Sequence, residues 1–77
     1  MNKLILKEVT QDYAIYNYYP EGKDSFGEIK LYIKDKKVEI IKSENDKYGR
    51  YANKAEVAML QFIETGYFPM KLTQAWY

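Results

Sequence analysis

The 77-residue chain is 47% hydrophobic and 17% aromatic, and twelve basic against eleven acidic side chains leave a formal charge of +1. That length predicts one domain, residues 1–77, which buries only about 60% of the surface its unfolded chain exposes. The near-zero charge excludes a strong overall field for nucleic acid or an anionic membrane, and the aromatic content argues against disorder. Without cysteine there are no disulfides, and the apolar runs fall well short of the ~20 residues that cross a bilayer. We therefore expect a cytoplasmic protein with no membrane span.

Two segments near the amino terminus are rich in β-branched and aromatic residues, which favours a first β-hairpin. They cover residues 3–9 and 13–19, and Thr10-Gln11-Asp12 between them has the composition of a turn. Both faces of this hairpin are partly apolar, and a shift of one residue in the pairing would exchange them. The face predicted to lie inside carries Leu4, Leu6, Ala14, Tyr16 and Tyr18.

A second hairpin is predicted after a loop, residues 19–25, that contains Pro, Gly, Asp and Ser. Its strands are indicated by apolar residues at positions 29, 31 and 33, and then at 38 and 40. With Asp35-Lys36 as a two-residue loop, Ile33 lies opposite Val38 and Leu31 opposite Ile40, so that the apolar side chains share one face. Because that loop contains no glycine, a loop one or two residues longer stays open as an alternative.

The stretch from residue 53 to residue 66 predicts one amphipathic helix, because its apolar residues fall on one side at about 100° per residue. Asn53 is predicted to cap the start of the helix, with Glu56 three residues later. Gly66 is predicted to end it in the left-handed conformation. The buried side is predicted to carry Ala55, Ala58, Met59, Phe62 and Ile63.

The chain ends in an aromatic segment in which Met70, Leu72 and Trp76 indicate docking as a further strand or an extended flap. Leaving that segment in water would cost on the order of several kcal/mol at ~25 cal/mol/Å². Val57 and Leu60 lie off the main apolar stripe of the helix, so that a single sheet cannot easily cover them. They are predicted to contact either this tail or a partner, including a second copy of the chain.

These elements predict an α+β fold: an antiparallel β-meander of about four strands, with one α-helix packed on one face and an extended C-terminal aromatic segment. The helix is the element against which the strands are expected to pack. No internal repeat or linker divides the chain.

The available residue types argue against an enzyme. With no histidine and no cysteine, the chain lacks the side chains most used as general base, thiolate nucleophile and transition-metal ligand. The carboxylate pairs, Glu21 with Asp24 and Glu44 with Asp46, lie in predicted loops, where solvated acids are the ordinary interpretation. Residues 44–49 lack the ligand spacing of a calcium loop, and the glycines form no phosphate-binding motif. We expect no catalytic residue, no cofactor and no metal.

Arg50 is the sole arginine of the chain, and it lies just before the predicted helix. Free N–H groups and the helix dipole favour an anion at that end, and a guanidinium binds carboxylate or phosphate in bidentate fashion. The ordinary alternative is that Arg50 pairs with a nearby acid or lies over Tyr48 or Tyr51.

Tyrosines and lysines of the predicted sheet form another candidate surface. Aromatic and basic side chains hold single-stranded nucleic acid in several kinds of module, although Glu28 and Glu39 share this outer face. Tyrosine is also enriched at protein interfaces, and most tyrosines simply pack with a solvated hydroxyl. The group comprises Tyr13, Tyr16, Tyr18, Tyr19 and Tyr32, with Lys30, Lys34 and Lys36 nearby.

Four short stretches carry a resemblance. They are residues 18–22, residues 26–29, residues 49–52, and Phe68-Pro69 with the terminal Ala75-Trp76-Tyr77. On these stretches the chain resembles small single-domain proteins of low-GC Gram-positive bacteria and their phages. The resemblance covers most of the length and implies a bacterial or phage origin, and it transfers no activity and no site.

By elimination, the sequence predicts a non-enzymatic protein-interaction module, for which self-association as a homodimer is one form. The alternative is binding of single-stranded nucleic acid through the Tyr/Lys face of the sheet, and a small enzyme that uses carboxylates and lysine is a more distant third. The candidate binding residues are Tyr13, Tyr19, Tyr32, Arg50, Val57 and Leu60.

Overall fold

A computed structural model of the chain describes residues 1–43 and 49–75, which form one antiparallel sheet and one helix. The elements are β1 (Asn2–Val9), β2 (Tyr13–Pro20), β3 (Gly27–Tyr32), β4 (Lys37–Lys42), α1 (Arg50–Thr65) and β5 (Lys71–Gln74). The spatial order of the strands is β4-β3-β2-β1-β5. The predicted α+β meander with one helix is confirmed. The sheet has five strands because the C-terminal segment pairs with β1 instead of lying as a flap.

The first hairpin pairs as predicted, with Leu4 opposite Tyr18 and Leu6 opposite Tyr16. A β-bulge at Lys7 shifts the register by one residue beyond that point, and such bulges increase the local twist of a strand. The predicted inside face is confirmed, since four of its five side chains are fully buried and Leu6 packs against the core at partial exposure.

The predicted register of the second hairpin is wrong by two residues. Leu31 lies opposite Val38, and Ile29 lies opposite Ile40, whereas Ile33 belongs to the turn. The turn covers residues 33–36, with Lys36 at φ +54°. The structure therefore has the longer loop, which the absence of glycine favoured over a two-residue loop. An even shift preserves the alternation of side chains. The apolar residues therefore still share the helix-facing side, although Ile40 stays 46% exposed at the sheet edge.

Gly27 has a role that composition alone does not indicate. It pairs with Tyr18 across β2 and β3, and the ring of Tyr18 lies directly over it. A Cβ atom at residue 27 would overlap the Tyr18 ring, closer than packed atoms approach. The missing side chain therefore makes the space in which Tyr18 is buried.

The helix begins at Arg50, three residues before the predicted start. Gly49 occupies the cap position at φ +70° and has no side chain with which to cap the helix, and Asn53 donates its N–H to the Gly49 carbonyl at 2.9 Å. The predicted Asn53–Glu56 cap is therefore wrong. The predicted end is confirmed, since Gly66 is left-handed and donates its N–H to the Phe62 carbonyl.

One layer of the core comes from the helix and the other from the sheet. Small residues let the helix approach the strands closely, and Phe62 packs against Tyr16 with ring centroids 5.4 Å apart. Phe68, after the helix, meets Phe62 edge to face and closes that end of the core. The buried helical side chains are Ala52, Ala55, Ala58, Met59 and Phe62, while Ile63 is half-buried.

Candidate functional site

Strand β5 forms one edge of the sheet, and its outward backbone groups face no other described strand. The Leu6 N–H donates to the Met70 carbonyl at 2.9 Å, which fixes the phase of the antiparallel ladder between β1 and β5. In such a ladder alternate residues bond inward. Leu72 and Gln74 consequently bond to β1, whereas the N–H and C=O groups of Lys71 and Thr73 point away from the sheet.

A groove of about 410 Å³ runs between α1 and β5 on the helix-bearing face. Val57 stands at its rim with 55% of its surface exposed, and the half-buried Leu72 forms part of its floor. No carboxylate lines it among the described residues. The lining consists of Lys54, Val57, Ala58, Gln61, Leu72, Gln74 and Ala75.

One end of the groove is held by a chain of side-chain amides. Asn2 is fully buried and donates to the Tyr51 carbonyl and to Gln74 Oε1, both at 3.1 Å. Gln74 in turn donates its Nε2 group to the Lys54 carbonyl at 2.9 Å. This network ties β1, β5 and the first turns of α1 together at that end of the groove.

The structure separates Val57 from Leu60, which the sequence placed on one flank. Leu60 is partly buried against the hydrophobic core and does not line the groove beside β5. Val57 instead lies at the groove beside β5. The tail residues predicted to contact them were Phe68, Met70 or Trp76. Phe68 packs on Phe62, Met70 is exposed, and Trp76 lies outside the described residues. Of the two candidates, Val57 is the one that offers exposed apolar surface.

The opposite, helix-free face of the sheet carries the tyrosines with outward positions. Tyr13 and Tyr32 are cross-strand neighbours, and Lys30 extends between them with its Nζ 4.3 Å and 4.9 Å from the two ring centroids. Tyr19 packs on Phe26 at 5.4 Å further along this face. The predicted Tyr13, Tyr19 and Tyr32 therefore share one surface, but a cation already occupies a face of two of the rings.

Polar groups at the ends of side chains on this surface form hydrogen bonds or ion pairs with glutamates of the same protein. Tyr13 donates its hydroxyl to Glu8 at 2.6 Å, and that hydrogen bond raises the pKa of Tyr13. Tyr32 donates to Glu39 at 2.9 Å. Lys7 reaches across the sheet to Glu28 at 2.6 Å. These contacts pair the hydroxyl and charged groups named here with one another, so this face is not a patch of unpaired charges.

Tyr16 and Tyr18, which the sequence grouped with these residues, face the helix instead and are fully buried. Tyr16 donates its hydroxyl to the Pro69 carbonyl. Burial raises the pKa of Tyr16 to about 12, because the tyrosinate anion would lose its water. These two tyrosines are core residues and cannot stack on a ligand.

Arg50 is exposed as the first residue of α1. The neighbouring hydrogen-bonded cluster is formed by Tyr51 and Glu21: Tyr51 donates its hydroxyl to Glu21, which also accepts from the Met1 ammonium at 3.2 Å. The hydrogen bond from Tyr51 is the main cause that lowers the pKa of Glu21, and the bond from the Met1 ammonium lowers it further. Tyr48, Glu44 and Asp46 lie outside the described residues. Among the described residues Arg50 forms no ion pair, and it does not line the groove that contains Val57.

No group of three His, Cys, Asp or Glu side chains among the described residues is arranged to hold a metal ion. Within the same ranges, no helix has both the length and the apolar character needed to cross a membrane. The chain matches no family model, and no curated protein or solved structure is significantly similar to it.

Sequence reasoning missed Lys71 and Thr73, whose backbone forms the free edge. The alternation in the C-terminal segment indicated a strand, but the identity of its neighbour was not available from the pattern. Only the pairing with β1 shows that β5 is the edge strand and that the backbone N–H and C=O groups of its odd-numbered residues are directed away from the sheet.

Proposed function

We propose that the protein is a non-enzymatic protein-interaction module, and that it binds its partner along the free edge of β5 and the adjoining groove. The observation that carries this proposal is a strand edge that faces no other described strand, together with a groove beside a helix whose lining mixes apolar side chains with lysine and glutamine. A strand edge offers backbone hydrogen bonds, and a groove beside it selects side chains. Together they form a surface suited to a polypeptide.

The groups with shifted pKa values support binding over catalysis. Tyr13, Tyr16 and Glu21 are described residues with a clearly shifted pKa, and each takes part in a hydrogen bond within the protein. A catalytic acid or base needs both a tuned pKa and access to a substrate in a cleft. None of these three side chains lines the groove beside β5, and Glu21, which lines a smaller cleft with Ser25 and Tyr51, has its carboxylate held by Tyr51 and the Met1 ammonium.

A second candidate function is the binding of single-stranded nucleic acid to the helix-free face. The observation that favours it is a local excess of cations on the described strands: Lys3, Lys7, Lys30, Lys37, Lys42 and Lys71 accompany Glu8, Glu28 and Glu39. Against it, Lys30 covers the rings that a base would stack on, and both tyrosine hydroxyls are held by glutamates. Stacking would require these contacts to break.

Quantitative affinity capture from the source cells tests the first proposal. Val57→Lys puts a charge on the exposed groove rim and should abolish capture of the partner without unfolding the protein. Ile41→Lys is the matched control, because Ile41 is 48% exposed on the far edge strand β4. Equal capture by the two variants would exclude the groove as the binding surface.

A fluorescence titration with mixed oligonucleotides at two salt concentrations tests the second candidate. Salt-sensitive quenching of tyrosine fluorescence that Lys30→Glu removes would support nucleic acid, since phosphate contacts release counterions. An unchanged signal at low salt would eliminate it.

A further inference from the structure

We propose that the occupant of the groove is an extended segment of another protein that adds a sixth strand to β5, with apolar side chains alternating with acidic ones. This inference rests on the proposed function and specifies the chemistry of the partner. The backbone of β5, the dimensions of the groove and the charges around the edge support it.

The backbone of β5 is in the right phase to accept another strand. Thr73 and Lys71 lie at the positions that do not bond to β1, so both the N–H and the C=O of each are directed outward. An added strand would form paired hydrogen bonds with each of these residues while leaving the β1–β5 ladder intact.

The groove selects alternate residues of such a strand. Successive side chains of a strand point to opposite faces, so every second one would project towards α1. Along the helix the groove reaches from Lys54 to Gln61, about 10 Å at 1.5 Å per residue. Side chains two residues apart in a strand are separated by roughly 7 Å, so that two of them fit this length. Val57, Ala58 and Leu72 give these two positions an apolar surface.

The charges favour an acidic partner over a second copy of this chain. On the helix-free side of the edge, Lys71 and Lys3 lie on adjacent strands, and neither forms an ion pair within the described residues. A strand with glutamate or aspartate at its other alternate positions would place opposite charges beside them. Two β5 edges brought together would instead place the lysines of both copies near one another, and like charges at such positions are destabilising.

Three capped seven-residue peptides serve as probes: valine alternating with glutamate, valine alternating with lysine, and the same valines and glutamates in two blocks. Titrations of the ¹⁵N-labelled protein should show the alternating valine–glutamate peptide binding at least tenfold more tightly than either of the others. The amides of Lys71 and Thr73 should shift most and exchange more slowly with solvent. Equal binding of the lysine peptide, or shifts confined to the helix-free face around Lys30, would overturn the proposal.

Thr73→Pro removes an outward donor without removing a bond to β1, and edge strands tolerate proline. It should weaken binding of the valine–glutamate peptide at least tenfold, whereas Thr73→Val should retain it. Should Thr73→Pro disturb the fold, Val57→Lys provides the same comparison from the groove side. Sedimentation of the free protein as a dimer that Thr73→Pro dissociates would assign the edge to a second copy and overturn the proposal.

The two proposals fail separately. Absence of peptide binding, combined with partner capture that Val57→Lys still abolishes, overturns the added strand and leaves the interaction surface standing. Capture that is indifferent to Val57→Lys overturns the surface itself.

Discussion

At the scale of single residues, Tyr16 couples the core to pH. Its hydroxyl is buried against the Pro69 carbonyl, and its pKa is raised to about 12 from an ordinary value of 10.0. Because the unfolded chain would ionise first, the stability of the protein should fall as pH rises from about 10 to about 12. At pH 11 the loss from this residue should be on the order of 1 kcal/mol.

The substitution Tyr16→Phe should remove the part of this pH dependence that Tyr16 contributes. At pH 8 the substitution leaves the Pro69 carbonyl without its donor and should cost roughly 1–3 kcal/mol in urea unfolding. The difference from the unsubstituted protein should shrink at pH 11, because phenylalanine does not ionise. Tyr19→Phe, on the opposite face of the sheet, should leave the alkaline loss unchanged. If Tyr16→Phe and the unsubstituted protein lost the same stability between pH 8 and pH 11, the folded state would not raise the pKa of the Tyr16 hydroxyl.

Gly27 and Tyr18 form a pair whose members depend on one another. Gly27→Ala forces a methyl group into the Tyr18 ring and should destabilise the protein by about 3 kcal/mol, the upper part of the range for overpacked cores. In the Tyr18→Ala background the same change should cost much less, because the ring is gone. A double-mutant cycle by chemical denaturation measures this coupling, and simple additivity of the two losses would contradict it.

At the scale of elements, the start of the helix offers a test in which two interpretations predict opposite signs. If Asn53 were the cap, Asn53→Ala would cost about 1 kcal/mol. Because Asn53 is instead an exposed residue inside the helix, we expect a gain of a few tenths of a kcal/mol from the better helix propensity of alanine. Thermal and urea unfolding distinguish the two, and a clear loss of stability would place the cap at Asn53 after all.

The same element shows what the sequence could determine. The spacing of Ala55, Met59 and Phe62 identifies the buried side of the helix, since periodicity is a property of the chain itself. The first turn was missed because the helix begins directly after Gly49, which is set by backbone conformation. The sequence pattern favoured Asn53 as the cap. Alternation likewise gave the faces of β3 and β4 but not their register, which depends on a four-residue turn.

The candidate site was predictable only in part. Val57 was identifiable as an apolar residue off the buried stripe of the helix. Its groove and the free backbone of Thr73 depend on which strand lies at the sheet edge, and that is a property of long-range pairing. The tyrosines were predicted as one group, but alternation along β2 divides them between the core and the open face.

At the scale of the whole molecule, Asn2 joins parts of the chain that are far apart in sequence. Its amide donates to α1 through the Tyr51 carbonyl and to β5 through Gln74, so that the two walls of the groove share one buried hydrogen-bonding group. Polar groups left buried without a partner cost about 1–3 kcal/mol each. The position of β5 relative to the helix should therefore depend on this one side chain.

Asn2→Ala removes both donors and should destabilise the protein by roughly 1–3 kcal/mol, since two acceptors lose their partner while the Asn2 Oδ1 atom, which is buried without a hydrogen bond, is removed as well. The loss should be uneven: the amides of Leu72 and Gln74, which bond to β1, should exchange with solvent faster relative to those of β2 and β3 than in the unsubstituted protein. Asn53→Ala is the matched control, because it removes an exposed asparagine and should leave these relative rates unchanged. Uniformly faster exchange across the sheet would mean that Asn2 contributes to global stability without specifically holding β5 against the helix, and the groove would then be set by the strand pairing alone.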